Sequence, residues 1–338
     1  MRAAVLVEPS KIVLERRPCP QPVPGDVLVA VRRAGLCGSD LHYFDGSSPV
    51  DMPLILGHEL AGEIVALGPG VTNRRIGDRV IIEPTIPCGH CFPCRRGKYN
   101  CCDHIDMIGI GRPGGFADYV TVPANYAHLM PAAMSFEHGA VVEPFTIGAQ
   151  ILHRAEPRPC DTIVLTGLGP IGLTVITLLK AWHKEVRVIG IDLVTERIAN
   201  ARGYGCDIVL NAREVDVVKK VMELTKDEGA AIVIECAGTP ATIQQTVQLV
   251  ATGGRIVIAG VTFRDICFPG RSFTKKEVEI YGSRNNAGHF PKVIEFISQN
   301  PEIAQRYISA VLPFEEITAA FQWAKGKPNE VTKILLKL

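Results

Sequence analysis

The sequence lacks any apolar run long enough to cross a membrane. Its longest apolar stretches lie inside strand-like or helix-like segments and fall short of the roughly 20 residues that a bilayer requires. The apolar run at the N-terminus ends at Glu8, too early for the core of a signal peptide. We therefore expect a cytoplasmic protein that has no membrane partner.

The sequence also lacks an excess of charge of either sign. Its 36 Lys and Arg residues face 35 Asp and Glu residues, which gives a formal net charge of +1. Because no basic block or stripe stands out, nucleic acid is not an expected partner. Repeats and low-complexity segments are missing as well. What remains is a chain of 338 residues, 47% hydrophobic and 21% charged, typical of a soluble globular protein with two domains.

The chain has two parts that differ in composition and in predicted secondary structure. Residues 1–145 are rich in Pro, Gly and short strand-like stretches such as Val27–Val31 and Arg79–Ile82, which predicts a mostly β domain. From about Asp161 onward, strand-like runs alternate with helix-like segments, a pattern that predicts a doubly wound parallel sheet. The strand candidates there are 163–166, 186–192, 208–210, 230–235, 255–259 and 277–281, between helix candidates that end near 184, 204, 225 and 250.

The tail after Gly282 returns to a mixed α and β texture. We expect it to rejoin the first domain. The predicted domains are therefore 1–145, 146–282 and 283–338.

A glycine-rich turn follows the first strand of the alternating part and precedes a helix. It matches the G-x-G-x-x-G pattern, whose glycines permit a tight turn, close approach of the backbone to a pyrophosphate and close packing of helix on strand. A helix that begins at such a turn directs its positive N-terminus at the phosphates. A structural turn without a nucleotide is the alternative. The motif reads Gly167-Leu168-Gly169-Pro170-Ile171-Gly172.

An acidic residue ends the next predicted strand. Asp192 lies 20 residues beyond Gly172, where a carboxylate accepts hydrogen bonds from the adenine ribose and repels a 2′-phosphate. NAD is therefore the predicted cofactor. Arg197 follows closely and is a candidate cofactor contact that would tolerate a phosphate, which keeps NADP open as the alternative.

The cysteines are numerous and clustered. Five of the eleven fall between Cys88 and Cys102, which favours a metal site over scattered disulfides. Cys88, Cys91 and Cys94, with either Cys101 or Cys102, supply four thiolates for a closed tetrahedral zinc site that stabilises a lobe. An iron–sulfur cluster is the rival for such a set.

Three short segments carry candidate ligands for a second metal. They contain Cys37, the pair His58 and Glu59, and Glu143, whose apolar surroundings would make an unpaired carboxylate costly. A thiolate, an imidazole and a carboxylate would hold zinc and leave a fourth position for water or a substrate oxygen. Taken singly, each residue is as readily explained by core packing or exposure. The metal site is predicted from their combination beside a dinucleotide fold.

Ser39 and His42 follow Cys37 closely in the sequence. An alcohol bound to zinc becomes more acidic, and its proton must leave the pocket. We expect Ser39 to relay that proton towards the cofactor ribose and His42. A simple turn hydroxyl for Ser39 and a surface role for His42 are the alternatives.

Together these motifs resemble the zinc-containing medium-chain dehydrogenase family. The stretch from Gly57-His58-Glu59 through Gly62 and Gly68 to Val71 matches the family's zinc signature at every defined position. The run Cys37-Gly38-Ser39-Asp40-Leu41-His42 is similar to its catalytic loop. The cysteine lobe and the glycine motif follow in the family's order, so the resemblance covers essentially the whole chain.

The resemblance implies a fold, cofactors and an assembly. The fold is α/β, with a GroES-like, mostly β catalytic domain interrupted by a Rossmann domain, and the active site in the cleft between them. The cofactors are NAD+ and two Zn²⁺ ions per chain, one catalytic and one structural. Similar proteins are usually homodimers or homotetramers. By the resemblance, Cys102 rather than Cys101 completes the structural zinc site.

Within the family, the chain is similar to polyol and sugar-acid dehydrogenases such as sorbitol and L-idonate or L-galactonate dehydrogenases. Glu143 matches the branch in which glutamate replaces a cysteine ligand, and whether Glu59 or Glu143 contacts the catalytic zinc stays open. Arg284 is a candidate contact for a substrate carboxylate, for the cofactor or for another domain. Tyr43 and Phe116 are candidate walls of the substrate pocket, with core packing as the alternative.

The predicted reaction passes a hydride from a secondary alcohol of a small-molecule polyol or sugar acid to NAD+. A 2,3-butanediol- or threonine-type dehydrogenase shares nearly every motif and stays open. A non-catalytic NAD-binding sensor is a rival of another class, although zinc-free relatives tend to lose Cys37 and His58. A zinc-free quinone reductase would need neither metal site.

Overall fold

A computed structural model describes the whole chain, residues 1–338. It has 17 strands and 12 α-helices. The strands are β1 Arg2–Glu8, β2 Lys11–Arg16, β3 Asp26–Gly35, β4 Glu59–Leu67, β5 Arg79–Ile82, β6 Thr85–Ile86, β7 Asp106–Met107, β8 Tyr119–Pro123, β9 Ala127–Leu129, β10 Thr162–Thr166, β11 Arg187–Asp192, β12 Ile208–Asn211, β13 Ala230–Glu235, β14 Val250–Ile258, β15 Glu279–Gly282, β16 Ala310–Pro313 and β17 Ile334–Lys337.

The helices are mostly short, and none is long and apolar enough to cross a membrane. They are α1 Gly38–Phe44, α2 Phe92–Arg95, α3 Phe136–Ala140, α4 Val142–Ala155, α5 Pro170–Trp182, α6 Thr195–Gly203, α7 Val217–Leu224, α8 Pro240–Leu249, α9 Arg271–Lys276, α10 Phe290–Gln299, α11 Pro301–Tyr307 and α12 Ile317–Gly326.

The chain forms two compact units, which divide after residues 146 and 285. Unit 1 contains 1–146 and 286–338, and unit 2 contains 147–285. The sequence placed these divisions after 145 and 282. The tail joins unit 1 through β17, which pairs antiparallel with β3.

Unit 1 is built on a seven-stranded sheet. Its order is β16-β17-β3-β4-β5-β9, with β8 also pairing with β3. The predicted strand Val27–Val31 is the middle of β3, and Arg79–Ile82 is β5. One face of the sheet and its flanking segments enclose an apolar core that includes Ile64, Phe116 and Phe321.

The register of this sheet brings distant parts of the chain together. Gly35 at the end of β3 lies opposite Glu59 at the start of β4, and opposite Leu335 of β17. Residues just beyond these positions therefore meet at one end of the three strands, although they are far apart in sequence. This end carries Cys37, His58 and Lys333.

Unit 2 is a six-stranded sheet in the order β12-β11-β10-β13-β14-β15, and every neighbouring pair is parallel. Its strands β10, β11 and β13 are buried apolar runs, as a sheet covered on two faces requires. The predicted α/β fold class is confirmed. Helix α9 is an element that the sequence analysis did not predict.

The tight pairing of β3 with β4 explains one glycine of the zinc signature and gives a stability prediction. A Cβ at Gly62 would lie 2.3 Å from the Ala30 carbonyl oxygen and 2.7 Å from Val29 Cγ1. Since backbone cannot yield as a side chain does, Gly62→Ala is expected to lower the free energy of unfolding by about 1–3 kcal/mol. Guanidinium denaturation measures this.

Gly326→Ala is the matched control for that substitution. Gly326 ends α12, and a Cβ there would meet nothing within 4 Å. Because alanine favours a helix over glycine, this variant should keep or slightly raise the stability. Equal losses in the two variants would contradict the steric explanation.

Candidate active site

Three predicted ligands meet at the end of β3 and β4. The ligand atoms of Cys37, His58 and Glu59 lie within 4.8 Å of one another. Cys37 follows β3, and His58 immediately precedes Glu59, the first residue of β4. A thiolate, an imidazole and a carboxylate in this arrangement form a donor set suited to zinc.

The Glu59 carboxylate is buried and paired with a lysine. Lys333 Nζ donates to Glu59 Oε1 at 2.5 Å and to the Leu36 carbonyl oxygen at 3.0 Å. The side chain of Lys333 is only 3% exposed. Burial alone would lower the pKa of Lys333, but the charges of Glu59 and Cys37 hold it above its usual value. Lys333 therefore supplies a fixed positive charge behind the site.

The second oxygen of Glu59 is free of protein partners. Glu59 Oε2 is buried and accepts no hydrogen bond. It lies directly against Gly35, where a Cβ would be 2.2 Å away. The close approach needs glycine at this position. An unpartnered buried carboxylate oxygen is costly, and a cation at the site would satisfy it.

An aspartate lies behind His58. Asp40 Oδ1 is 3.6 Å from His58 Nδ1, and both side chains are buried. Asp40 Oδ2 accepts from the Cys37 backbone N–H at 2.9 Å, which fixes the carboxylate. Burial alone would lower the pKa of His58, but the charges of Asp40 and Cys37 hold it well above its usual value. A carboxylate behind a histidine typically orients a metal-binding imidazole.

Glu143 lies near this group but outside it. It is in the first turn of α4 and is 5% exposed. Burial raises the pKa of Glu143 to about 7, against the opposing charge of His58 and with added repulsion from Glu59. Of the four predicted ligands of the reactive metal, three are brought together within 4.8 Å and Glu143 is not among them.

The candidates for proton transfer lie on helix α1. Ser39 and His42 are three residues apart, which places them on the same side of a helix. Ser39 is half-buried and His42 is exposed, with His42 Nδ1 lying 3.0 Å from Ser47 Oγ. Tyr43 on the same helix is half-buried and packs against the core of unit 1, and its burial raises the pKa of its hydroxyl.

One candidate pocket residue proves to be part of the core. Phe116 is 1% exposed and meets Phe321 edge-on, with ring centroids 6.0 Å apart. It also packs against Gly57, where a Cβ would be 2.7 Å from the ring. We therefore assign Phe116 to packing rather than to a pocket wall. Arg284 is exposed and lies just after β15 in unit 2.

The cysteine lobe gathers four thiols. The sulfur atoms of Cys88, Cys91, Cys94 and Cys102 lie within 4.8 Å of one another, and Cys101 is not part of this group. Burial alone would raise the pKa of Cys91, but backbone N–H groups of Asp103 and Cys94 lower it to about 6. The Cys88 and His104 N–H groups both donate to Cys102 Sγ at 3.3 Å.

Such thiolate-stabilising amides fit a tetrahedral zinc site with no open position. His90 is exposed and its ring lies 2.9 Å from the Cys88 carbonyl oxygen.

The glycine motif forms the turn between β10 and α5. Gly167 has φ +91°, a left-handed conformation that favours glycine. A Cβ on Gly172 would lie 2.1 Å from the Gly167 carbonyl oxygen, so helix and turn approach too closely for a side chain. Gly169 precedes α5, and Pro170 and Ile171 form its first turn. This end of α5 presents backbone N–H groups suited to a phosphate.

Asp192 ends β11 beside this turn. Its Oδ2 accepts from the Leu168 N–H at 2.8 Å, and its Oδ1 accepts from the Leu193 N–H at 2.7 Å. The carboxylate is thereby held rigidly next to the glycine turn. Arg197 on α6 reaches the same turn, since its Nη1 lies 3.9 Å from a Cβ built on Gly169. These residues fit a dinucleotide in the conventional place.

Asp40 and Lys333 are the functional residues that sequence reasoning missed. Asp40 was visible only as part of the catalytic-loop pattern, without a role of its own. Lys333 precedes the apolar strand β17 near the end of the chain, and a lysine there has no local motif. Only the pairing of β17 with β3 reveals its position.

Two known protein families match the chain. Residues 23–132 match the alcohol dehydrogenase GroES-like domain, and residues 170–299 match the zinc-binding dehydrogenase family.

Relatives match over nearly the full length. The starvation-sensing protein RspB of Escherichia coli K12 is 33% identical, with 99% of each chain covered. The sorbitol dehydrogenase of Bacillus subtilis is 33% identical over 99% of this chain and 97% of its own. The crystal structure of RspB from Escherichia coli CFT073 in complex with NADH superposes with a TM-score of 0.95, at 32% identity over 100% of this chain and 99% of that one.

The matching families, the full-length relatives and the two groups of potential metal ligands all indicate a zinc-binding dehydrogenase. The GroES-like and Rossmann parts of the fold and the zinc and nicotinamide cofactors expected from the sequence are confirmed. The chain therefore belongs to the zinc-containing medium-chain alcohol dehydrogenase family and is an NAD-linked alcohol oxidoreductase.

Proposed function

We propose that the protein oxidises a secondary alcohol of a polyol or sugar acid with NAD+ and a single reactive zinc. The observation that carries this proposal is the buried group of Cys37, His58 and Glu59, backed by Asp40 and Lys333. A purely structural carboxylate would not be buried with one oxygen unpartnered beside a thiol and an imidazole.

In this proposal, Cys37 and His58 hold the reactive zinc and a glutamate completes the set. Zinc, when bound, supplies a Lewis acid that lowers the pKa of an alcohol. Asp40, whose Oδ1 lies 3.6 Å from His58 Nδ1, would orient the imidazole electrostatically when the metal is bound. The unpartnered oxygen Glu59 Oε2 supports a direct contact between Glu59 and the zinc. Glu143, with its pKa near neutrality, supports a role as a proton acceptor or as a ligand that replaces Glu59 during turnover.

Ser39 and His42 conduct the alcohol proton away from the reactive site. The half-buried hydroxyl of Ser39 and the exposed ring of His42, on one side of α1, support a path that runs from the interior to solvent. His42 Nδ1 is engaged with Ser47, which leaves the other ring nitrogen to exchange the proton. Both residues thus act as proton carriers rather than as ligands.

Unit 2 provides the cofactor site in this proposal, with NAD preferred over NADP. Gly167, Gly169 and Gly172 accommodate the pyrophosphate with Pro170 and Ile171 at the helix N-terminus. The fixed negative charge of Asp192 opposes a 2′-phosphate on the adenine ribose. Arg197, whose Nη1 lies 3.9 Å from a Cβ built on Gly169, is proposed to contact a phosphate of the cofactor.

The substrate class is proposed from the kinship with sorbitol dehydrogenase. Tyr43 beside the reactive group would contact the polyol, and Arg284 would contact a carboxylate if the substrate is a sugar acid. The active protein is proposed to be a homodimer or homotetramer. A 2,3-butanediol- or threonine-type reaction would use the same residues, so substrates must decide between them.

A substrate panel tests this function. Sorbitol, xylitol, aldonates, 2,3-butanediol and threonine would each be offered with NAD+, and NADH formation followed by absorbance. The highest kcat/KM is expected for a polyol or aldonate, and addition of a strong chelator should abolish it. A preference for butanediol or threonine would contradict the polyol or sugar-acid class and would assign the alternative reaction instead. NADH binding without any turnover would favour a sensor.

Loss of Cys37 should remove both one metal and the reaction. Cys37→Ala is expected to lower bound zinc from two ions per chain to one and to reduce kcat/KM by about a hundredfold or more, since a Lewis acid supplies several kcal/mol. Metal analysis and NADH formation measure the two effects. Cys101→Ala, a cysteine outside both groups, should change neither. Undiminished turnover in Cys37→Ala would overturn the proposed mechanism.

Lys333 should stabilise the fold through Glu59. Lys333→Met leaves a buried carboxylate without its partner and is expected to cost about 3–5 kcal/mol of unfolding free energy. The double variant Lys333→Met with Glu59→Gln should recover much of that loss, because no unpaired charge remains. Lys337→Met, an exposed lysine four residues on, is the control. A loss in the double variant equal to the sum of the losses in Lys333→Met and in Glu59→Gln alone would show that the pair is not coupled. Denaturant titration measures all four variants.

A further inference from the structure

A second buried glutamate lies in unit 2, away from the metal group. Glu235 is the last residue of β13 and is 0% exposed. A carboxyl group at the end of a central strand is costly unless the protein uses it. Neither the metal chemistry nor the glycine motif involves this residue.

One oxygen of Glu235 organises the segment that follows the strand. Glu235 Oε1 accepts from the Ala237 and Gly238 N–H groups, both at 2.9 Å, and from Thr242 Oγ1 at 2.7 Å. The other oxygen is buried without a partner and is closed off by Gly260, where a Cβ would be 2.5 Å away. The carboxyl group is therefore an acceptor for the segment 236–242, which contains the loop after β13 and the first turn of α8 and is called loop 236–242 below.

This loop packs directly against the glycine turn. The Cys236 N–H donates to the Thr166 carbonyl oxygen at 2.8 Å. A Cβ on Gly167 would lie 2.6 Å from Ala237 N, so the two backbones touch where a side chain cannot fit. The loop thus borders the glycine turn on its β13 side, opposite to the side on which Asp192 ends β11.

The strand order tells which part of a dinucleotide the loop faces. β10, which carries the glycine turn, lies between β11 and β13, and this is the point at which the sheet order reverses. Asp192 ends β11 and marks the adenosine side. Given the proposed NAD site, the opposite half of the dinucleotide lies over the end of β13, beside the loop that Glu235 holds.

We propose that Glu235 is a positioning residue for the nicotinamide half of the cofactor, acting through loop 236–242 rather than by touching the cofactor. Its function is that of a hydrogen-bond acceptor with a defined reach. A side chain of equal length with an acceptor oxygen should therefore replace it, and a shorter one should not.

Binding of NADH and of AMP to the intact protein tests this inference, with both dissociation constants measured by calorimetry. Glu235→Ala is expected to weaken NADH binding about tenfold or more, because three hydrogen bonds that hold the loop are lost, while AMP binding stays within about twofold. Glu235→Gln should stay close to the parent protein for both ligands. Glu235→Asp, one methylene shorter, should behave like alanine and serves if Glu235→Ala does not fold.

Asp192→Asn is the matched control on the adenosine side. It removes a charge at the end of the neighbouring strand and should weaken AMP and NADH together. Equal weakening of both ligands in Glu235→Asp or Glu235→Ala would reduce Glu235 to a general stabiliser and overturn the inference, as would unchanged NADH binding. Failure of the parent protein to bind NADH or AMP would overturn the proposed cofactor site itself, and this inference with it.

Discussion

The site depends on the register of three strands at Gly35. β3 lies between β4 and β17 there, with Gly35 opposite both Glu59 and Leu335. A one-residue slip would turn every side chain of a strand to the other face, and would separate Cys37 from His58. The same register delivers Lys333 from the end of the chain to Glu59. Gly35 itself leaves room for the carboxylate, so sheet pairing and site geometry are one constraint.

That constraint concentrates charge where water is excluded. Cys37, Glu59, Asp40 and Glu143 bring negative charge or potential negative charge into a buried region, against the single lysine and a histidine. Burial alone would lower the pKa of His58, but the charges of Asp40 and Cys37 raise it well above its usual value, and burial raises the pKa of Glu143 to about 7. A divalent metal held by these residues would offset the buried negative charge and would satisfy Glu59 Oε2. The charge balance of this region therefore matches the proposed ion.

The sequence allowed the local parts to be predicted and left out the long-range ones. The strands of unit 2 and its helices α5 to α8 follow from the local sequence pattern, and the glycine motif and the cysteine spacing indicate their own chemistry. Lys333 has no local signal because its partner is 274 residues away. The sequence allowed Phe116 to be either a pocket wall or a core residue, and its burial against Phe321 favours the core. The contested glutamates illustrate the same limit, since spacing cannot say that Glu59 joins the thiol and imidazole while Glu143 lies just outside.

Glu59 and Glu235 are both buried glutamates, but they have different roles. Each ends or begins a strand, commits one oxygen to protein donors and leaves the other unpartnered. The surroundings of the second oxygen decide the outcome. At Glu59 the carboxylate lies beside a thiol and an imidazole, so a cation can complete the group. At Glu235 it is closed in by Gly260 with no metal-binding side chain grouped around it, so the carboxyl group can only shape backbone. Burial and an orphan oxygen therefore do not identify a ligand by themselves; the neighbouring donor set does.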